Sequence, residues 1–442
     1  MAEGVVEWLG SMTEYRSGSE MQMKNKWTII LMTLCTLMLF TGCGKQEEAK
    51  EPVVGYVSSV SVEYEKENRE ESVQYSESSE EAASSEPEES PEEILPEPEP
   101  EVELIMVGDI LLHTPVAKSG KKEDGTYDFS HLFTNVKEIL DGADLKLVNQ
   151  EVIIGGAELG VSGYPAFNAP YELGDALVDA GFNVVLHATN HAMDKGKQGI
   201  KNCLSFWREK YPEIAVLGIA DNEEDSKEIY YYEQEGITLA ILNYTYGTNG
   251  IPLPQDMPYC VNLLDETRIK ADLKEAKENA DFVIVCPHWG TEYLLESSKN
   301  QRKWAQFFAD NGADAIIGTH PHVIEPFEVI ETEDRQTYCF YSIGNFVNWT
   351  SGTGEGVANR MVGAIAKLIV GRNEDGEVYL KEWNVIPVVS HVESGFGNVT
   401  VYPLVDYTEE LGARSEIRKQ DGKFSYQYCL DLVSKVFGLN LP

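Results

Sequence analysis

The sequence predicts an α/β fold, and three observations carry that prediction. Short apolar runs alternate with segments of helical periodicity from Val102 onward, the pattern of strands joined by crossover helices. Several of these runs lack the polar alternation of a half-exposed strand and read as strands buried on both faces. Run after run then ends on Asp, Asn, Glu or His, and strand ends are where open α/β sheets hold ligands and metals.

The elements follow in order. Lys24 and Lys26 precede an apolar run from Trp27 to Phe40, closed by Thr41-Gly42-Cys43. That run is short for a membrane span and suits the core of an export signal. Small residues ending in cysteine resemble a bacterial lipobox. Residues 1–43 are therefore expected to be a signal peptide, with Cys43 as the lipidated residue. The rest of the chain is expected on the extracytoplasmic face of the membrane, held by the lipid.

Residues 44–102 are rich in Glu, Ser and Pro; between Glu47 and Glu103, 20 glutamates face Lys50, Lys66 and Arg69. Such a stretch has too little apolar surface to offset the entropy of ordering, so it reads as a disordered, self-repelling linker. Residues 103–390 form the expected α/β domain and 391–442 an extension packed on it. Strands are expected at Leu104–Val107, Leu145–Val148, Asn183–Leu186, Leu239–Tyr244, Phe282–Cys286, Ala313–Ile317 and Tyr338–Ile343. Helical patterns cover His131–Leu140, Tyr171–Ala180, Gly196–Glu209, Asp265–Asn279 and Lys299–Asn311. Strands at Ala364–Val370 and Val378–Val389 follow without helices between them, which suggests a second sheet of more antiparallel character. A last helix is expected over Tyr426–Phe437.

Composition narrows the function. A net charge of −39 argues against nonspecific nucleic-acid binding, which needs Lys and Arg against phosphates. Beyond Cys35 and Cys43 stand Cys203, Cys260, Cys286, Cys339 and Cys429, an odd number without the spacing of a disulfide framework. Cys286 and Cys339 lie in apolar runs and read as buried small hydrophobes.

The chemistry concentrates at the strand ends. Asp109 follows Gly108, with His113 shortly after; Glu151 follows Asn149-Gln150; Asn190-His191 follows His187; His288 follows Pro287; His320 and His322 flank Pro321. Proline after His320 favours an extended backbone there, which would point both imidazoles to one side. A set of carboxylates, an amide and several imidazoles without thiolates suits Mn, Zn or Fe. It exceeds what one tetrahedral zinc needs and matches one or two divalent metals, the second sharing a carboxylate. Asn190 can ligate through its carbonyl, and His191 can act as general acid or orient a phosphate oxygen. Trp289 and Tyr293 are either an apolar wall of the pocket or core, and Asn345 either contacts a ligand or forms a turn. The Thr350–Asn359 loop reads as a rim, and Arg360 after it as a surface ion pair or an anion holder.

In order, Gly108-Asp109, Asn149-Gln150-Glu151, Asn190-His191-Ala192-Met193-Asp194, His288-Trp289-Gly290-Thr291-Glu292-Tyr293, Gly318-Thr319-His320-Pro321-His322 and Gly344-Asn345-Phe346 resemble the CapA family of poly-γ-glutamate capsule proteins. That family in turn is similar to the calcineurin-like metallophosphoesterases. The resemblance implies a two-sheet β-sandwich flanked by helices (α/β/β/α). It implies metal ligands at Asp109, Glu151, Asn190, His288, His320 and His322, with Asn190 and His191 in catalysis. It implies substrate contacts at His113, Trp289, Glu292, Tyr293 and Asn345. Two positions depart from the metallophosphoesterase pattern: His113 lies four residues after Asp109 rather than two, and Glu151 stands where an Asp is usual. The implied role is in making, exporting or anchoring an anionic polymer of glutamate. The ligand set at the strand ends adds the expectation of a metal-dependent hydrolase or transferase acting on a phosphoester or a γ-glutamyl polymer. The alternative is a non-catalytic, polymer-binding subunit of a membrane capsule synthesis complex.

Overall fold

A computed structural model of the chain describes residues 99–439 and 441. The expected signal segment, Cys43 and nearly all of the acidic linker lie outside the described residues.

In chain order the elements are β1 (Glu101–Ile110), α1 (Thr114–Gly120), α2 (Lys137–Asp141), β2 (Leu145–Asn149), α3 (Tyr171–Asp179), β3 (Val184–Leu186), α4 (Gly196–Lys210), β4 (Ala215–Leu217), β5 (Tyr230–Gln234) and β6 (Ile237–Thr245). They continue with α5 (Glu266–Asn279), β7 (Phe282–His288), α6 (Lys299–Asp310), β8 (Ala315–Ile317), β9 (Phe327–Glu331), β10 (Gln336–Phe340) and β11 (Asn345–Val347). The chain closes with β12 (Val362–Arg372), β13 (Val378–His391), β14 (Thr400–Pro403), α7 (Glu409–Arg414) and α8 (Tyr426–Phe437).

These strands make two sheets flanked by helices, the α/β architecture expected. One sheet has the order β14-β13-β12-β1-β2-β3-β4, with β11 also paired to β1; the other runs β5-β6-β7-β8-β10-β9. Within the first, β1 to β4 are mutually parallel. Within the second, β6, β7, β8 and β10 are parallel and the edges β5 and β9 antiparallel.

The second sheet is buried on both faces, as its apolar runs require. Leu239, Ile241, Ile284 and Cys286 point into the core shared with the first sheet. Their neighbours Ala240, Leu242, Val283 and Val285 point into a second core completed by Ile269, Leu273 and Ala276 of α5 and Ala305 and Phe308 of α6. That is the period-2 alternation of a strand packed between two layers. Burying a Leu, Ile, Val or Phe side chain contributes about 1.5–3 kcal/mol, and these layers hold dozens.

Helix ends follow their capping chemistry. Asp265 accepts from the Arg268 N–H at the start of α5 and Ser425 from the Tyr428 N–H at the start of α8. Ser298 and Gln301 form a full capping box at α6, each satisfying a backbone donor the helix leaves open.

Two expectations are corrected. The antiparallel strands β12 and β13 do not seed the second sheet. β12 pairs with β1, from Glu101 opposite Gly371 to Val107 opposite Ile365, so the hairpin widens the first sheet. Local periodicity shows that a segment is a strand but not which edge it joins. The helix expected over His131–Leu140 is broken into 3-10 turns at Ser130–Leu132 and Thr134–Val136 before α2. There the Asn135 amide donates to the Thr400 hydroxyl at 3.1 Å and the Thr400 hydroxyl to the Leu132 carbonyl at 3.2 Å, so contacts with β14 win over a marginal helix. Among the described residues, no helix is long and apolar enough to cross a membrane.

Close approach of backbones sets the strand ends. A Cβ on Gly108 would lie 1.9 Å from the Gly344 carbonyl oxygen, and that oxygen accepts from the Asp109 N–H at 3.1 Å. Only glycine lets β1 come this close, which delivers Asp109 beside β11. Asn243 ties the sheets together: its amide donates to the Cys286 carbonyl and accepts from the Ala188 N–H, both at 2.8 Å.

Candidate metal centre

The carboxyl ends of β1, β2, β3, β7 and β8 converge at one end of the two sheets. They bring Asp109, Asn149, Glu151, Asn190, His191, His288, His320 and His322 together, every one of them buried. Asp109 Oδ1 accepts from the Asn149 amide at 2.8 Å, and its Oδ2 lies 3.0 Å from His322 Nδ1. His288 Nε2 is 2.8 Å from Asn190 Oδ1, and its Nδ1 is 3.0 Å from the Thr319 hydroxyl. Glu151 sits between them: Oε1 is 3.7 Å from His288 Nε2 and Oε2 is 3.7 Å from His322 Nδ1.

Two overlapping triads result. Asp109, Glu151 and His288 each offer a ligand atom within 4.8 Å of the others, and so do Glu151, His320 and His322. Glu151 belongs to both. It is also the anomaly of the site, because neither of its carboxylate oxygens has a hydrogen-bond partner in the protein. Asn149 Oδ1 and His320 Nδ1 are unpartnered too. Unpaired buried charge costs several kcal/mol, and a divalent cation among these atoms would remove that cost. The donors are oxygen and imidazole nitrogen without thiolate, which fits Mn, Zn or Fe.

The electrostatics agree. Burial raises Glu151 well above the usual carboxylate range, with the Asp109 charge adding to the effect and His322 opposing it. Burial works against a charge on His322, but Glu151 and Asp109 outweigh it and hold the imidazole up at about 9. Burial, with His322 and His191 nearby, pushes His320 well below its ordinary value, and burial with the neighbouring imidazoles does the same to His288. Glu151 and His322 of the metal-free cluster thus hold protons where a cation would sit, while His288 and His320 are left neutral.

The His320-Pro321-His322 segment is not extended as expected. His320 has φ 97° and His322 φ 60°, both in the left-handed region that non-glycine residues rarely enter. The His320 N–H points at the Asp109 carboxylate, at 3.3 Å to Oδ2, and Tyr293 N–H donates to the Pro321 carbonyl at 2.8 Å. Tertiary contacts override the preference before proline and still bring the two rings to 5.7 Å between centroids.

His191 stands beside the triads. Its Nδ1 is 2.6 Å from Asp194 Oδ2, and Nε2 is 3.9 Å from Glu151 Oε1. Asp194 also accepts from the Phe167 N–H at 2.7 Å. A carboxylate fixed in this way orients the imidazole and leaves Nε2 facing the cluster. Sequence reasoning missed this dyad, although the three-residue step from His191 to Asp194 was the available signal. It also missed Asn149 as a partner of Asp109, and Tyr246, whose ring lies 4.6 Å from that of His320.

The remaining expected contacts are spread around the mouth. His113 is half-buried, edge-on to Phe167 at 5.1 Å, and lies outside both triads; burial and nearby positive groups lower it to about 4. Asn345 Oδ1 is 3.1 Å from His322 Nδ1 while its amide donates to the His322 and Arg360 carbonyls, so it braces a candidate ligand. Glu292 and Tyr293 are exposed, and the Tyr293 ring lies 6.0 Å from His322. Trp289 is core: fully buried, its indole N–H donating to the Tyr341 carbonyl at 2.9 Å. Arg360 makes no ion pair among the described residues, against expectation; its guanidinium carbon lies 3.4 Å from the centre of the Tyr293 ring. The five later cysteines are free and buried.

Comparison with known proteins bears on the same residues. The family model described as bacterial capsule synthesis protein PGA_cap matches residues 103–350. The PGA biosynthesis protein CapA of Bacillus subtilis (strain 168) is 38% identical over 178 residues, which are 39% of this chain and 45% of that protein. The capsule biosynthesis protein CapA of Bacillus anthracis is 30% identical over 266 residues, 57% of this chain and 61% of that protein. The chain thus spans about half the length of the curated relatives it matches. Among solved structures, the Haemophilus influenzae NAD nucleotidase NadN aligns with a TM-score of 0.42 at 12% identity, covering 76% of this chain and 63% of that one, a distant likeness that says nothing of chemistry. The family match runs over more than half of the chain and through every strand end that carries a candidate ligand, and the chain belongs to the bacterial capsule synthesis protein family.

Proposed function

We propose that this chain is a metal-dependent hydrolase of capsule synthesis or export, acting outside the cytoplasm on a phosphoester or an anionic capsule polymer. Family membership supports the setting. The lipobox-like Cys43 supports a lipid-anchored place on the outer face of the membrane, within reach of a membrane capsule synthesis complex.

The observation that carries the reading is Glu151. A fully buried carboxylate with no hydrogen-bond partner belongs to both ligand triads, and it would serve an ion held by either. Asp109 and His288 would complete one position and His320 and His322 the other, with the Asn190 carbonyl beside His288. Bound there, Mn, Zn or Fe supplies Lewis-acid polarisation and lowers the pKa of an attacking water. The protein's own groups do the rest. Asp194 holds His191 so that Nε2 can donate a proton to a leaving oxygen or nitrogen, a role contributing about 10²–10⁴-fold. Asn149 and the His320 N–H fix Asp109, and Thr319 fixes His288, so the ligands are oriented before substrate arrives.

The position of His113 outside both triads favours a second reading, in which the pocket binds polymer without cleaving it. One experiment separates the two. Wild type and His320→Ala, refolded with Mn²⁺, Zn²⁺ or Fe²⁺, are analysed for metal and assayed on p-nitrophenyl phosphate and poly-γ-glutamate. The hydrolase reading expects one or two ions per wild-type chain, turnover of one substrate, and loss of both in His320→Ala. Full metal content without turnover of either substrate favours the binding subunit, and absence of metal from wild type overturns the metal centre.

A further inference from the structure

Arg360 is a cation beside the candidate metal centre with no carboxylate to neutralise it among the described residues. Its guanidinium lies over the Tyr293 ring, 3.4 Å from guanidinium carbon to ring centre. Nη1 donates to the Thr350 hydroxyl at 2.9 Å, and Nε is buried without a partner among the described residues. In a chain of net charge −39 most cations of this domain find a carboxylate, as Arg208, Arg268 and Arg372 do. Arg360 does not.

Both ends of the residue are tied to the cluster. Its carbonyl accepts from the amides of Asn345 at 2.8 Å and Asn348 at 3.2 Å, and Asn345 Oδ1 in turn meets His322 Nδ1. The shelf beneath the guanidinium, Tyr293, has a left-handed backbone at φ 69° and donates its N–H to the Pro321 carbonyl between His320 and His322. That contact ties the backbone of Tyr293 to the cluster, with its ring against the guanidinium. The ring contact of Arg360 with Tyr293 and its bond to Asn345, which meets His322, place it beside the cluster and not on a remote surface.

We propose that Arg360 is a substrate-binding residue that takes an oxyanion, a carboxylate or phosphate group, of the molecule bound at the strand-end cluster. A planar fork of donors suits either group, and stacking on Tyr293 leaves its in-plane edge to the ligand. The inference rests on reading the cluster as the reaction centre, so its test separates the two. Binding of inorganic phosphate and of glutarate to the wild-type chain, Arg360→Gln and Arg360→Lys is measured by calorimetry, with and without Mn²⁺, alongside Mn²⁺ content and melting temperature. Arg360→Gln is expected to weaken one or both anions by about 10–100-fold, the span of a lost charge-assisted hydrogen bond. Mn²⁺ content and melting temperature should stay as in wild type, and Arg360→Lys should recover part of the affinity. Loss for phosphate alone supports a phosphoester substrate, and loss for glutarate alone a carboxylate polymer. If Arg360→Gln does not fold, Tyr293→Leu removes the shelf and should weaken the same anion. Equal binding by wild type and the variants, or no binding of either anion to wild type at millimolar concentration, overturns the proposal. Failure of wild type to take up Mn²⁺ overturns the metal centre instead, while the anion comparison still reads Arg360.

Discussion

Two buried carboxylates in this molecule are treated in opposite ways. Asp421, beyond the last strand, accepts from the backbone N–H groups of Gly356 at 2.9 Å, Lys423 at 3.2 Å and Ala358 at 3.4 Å. Glu151, at the strand ends, accepts from none. Both are buried, so both have lost their water. Asp421 recovers the loss from oriented backbone dipoles and serves as a structural clamp between the loop before β12 and the segment before α8. Glu151 finds no hydrogen bond in the protein, only imidazole nitrogens of His288 and His322 at 3.7 Å, and the same fold that satisfies one carboxylate leaves the other open to a cation.

The contrast can be broken by neutralising each in turn. Glu151→Gln should cost metal affinity at least 100-fold, because a bridging charge is lost from both triads, yet leave the metal-free protein as stable as wild type or more so. Asp421→Asn should leave metal affinity alone and lower unfolding free energy by about 1–3 kcal/mol, since an amide cannot accept at both of its ends. Denaturant titration with metal analysis of both variants checks the pair. Destabilisation by Glu151→Gln as large as by Asp421→Asn would make Glu151 a structural residue as well.

The next effect sharpens the role of charge at the site. Glu151 is raised by burial and His322 is held at about 9 by its carboxylate neighbours; both must shed protons to become ligands. Metal affinity should therefore rise with pH up to about 9, by up to about tenfold per unit for each proton released. A flat Mn²⁺ affinity between pH 6.5 and 8.5 would show that these groups do not bind the ion.

A separate effect, on stability and not on metal, comes from a third buried carboxyl. Burial raises Glu325 to about 8, partly offset by Gln301, whose amide donates to it. Its ordinary value is about 4.3. Between the two, the folded state keeps a proton that the unfolded state has released. Stability should then fall as pH rises from about 4.5 to 8, by at most about 1.4 kcal/mol per unit. Glu325→Gln should remove that fall, since the neutral amide keeps the bond to Gln301. A stability profile of the variant parallel to wild type over this range would contradict it.

What could be read from the sequence divides along the same physical line. Segments governed by local chemistry were legible. Tyr426–Phe437 is helical with the bounds its pattern gives, because Ser425 caps it, and the runs at Leu145, Phe282 and Leu239 are strands because they are buried on both faces. Candidate ligands were legible as residue types at strand ends, and the structure brings Asp109, Glu151, Asn190, His288, His320 and His322 together. Features set by distant partners were not. The edge strands β4, β5 and β9 are only three to five residues long and half-buried, too brief for a pattern to show. The sheet that β12 joins depends on pairing with β1, more than two hundred residues earlier. The left-handed backbone of His320 depends on Asp109, and the seating of Arg360 on Tyr293.

The central claim is that Glu151 is shared by two metal positions. Calorimetric titration of the metal-free chain with Mn²⁺ in two buffers of different ionisation enthalpy tests it most directly, since it reads both stoichiometry and protons released. The account predicts up to two ions per wild-type chain with net proton release, and loss of both ions together in Glu151→Gln. A wild type that binds no Mn²⁺, or a Glu151→Gln variant that binds it with wild-type affinity and stoichiometry, would contradict it.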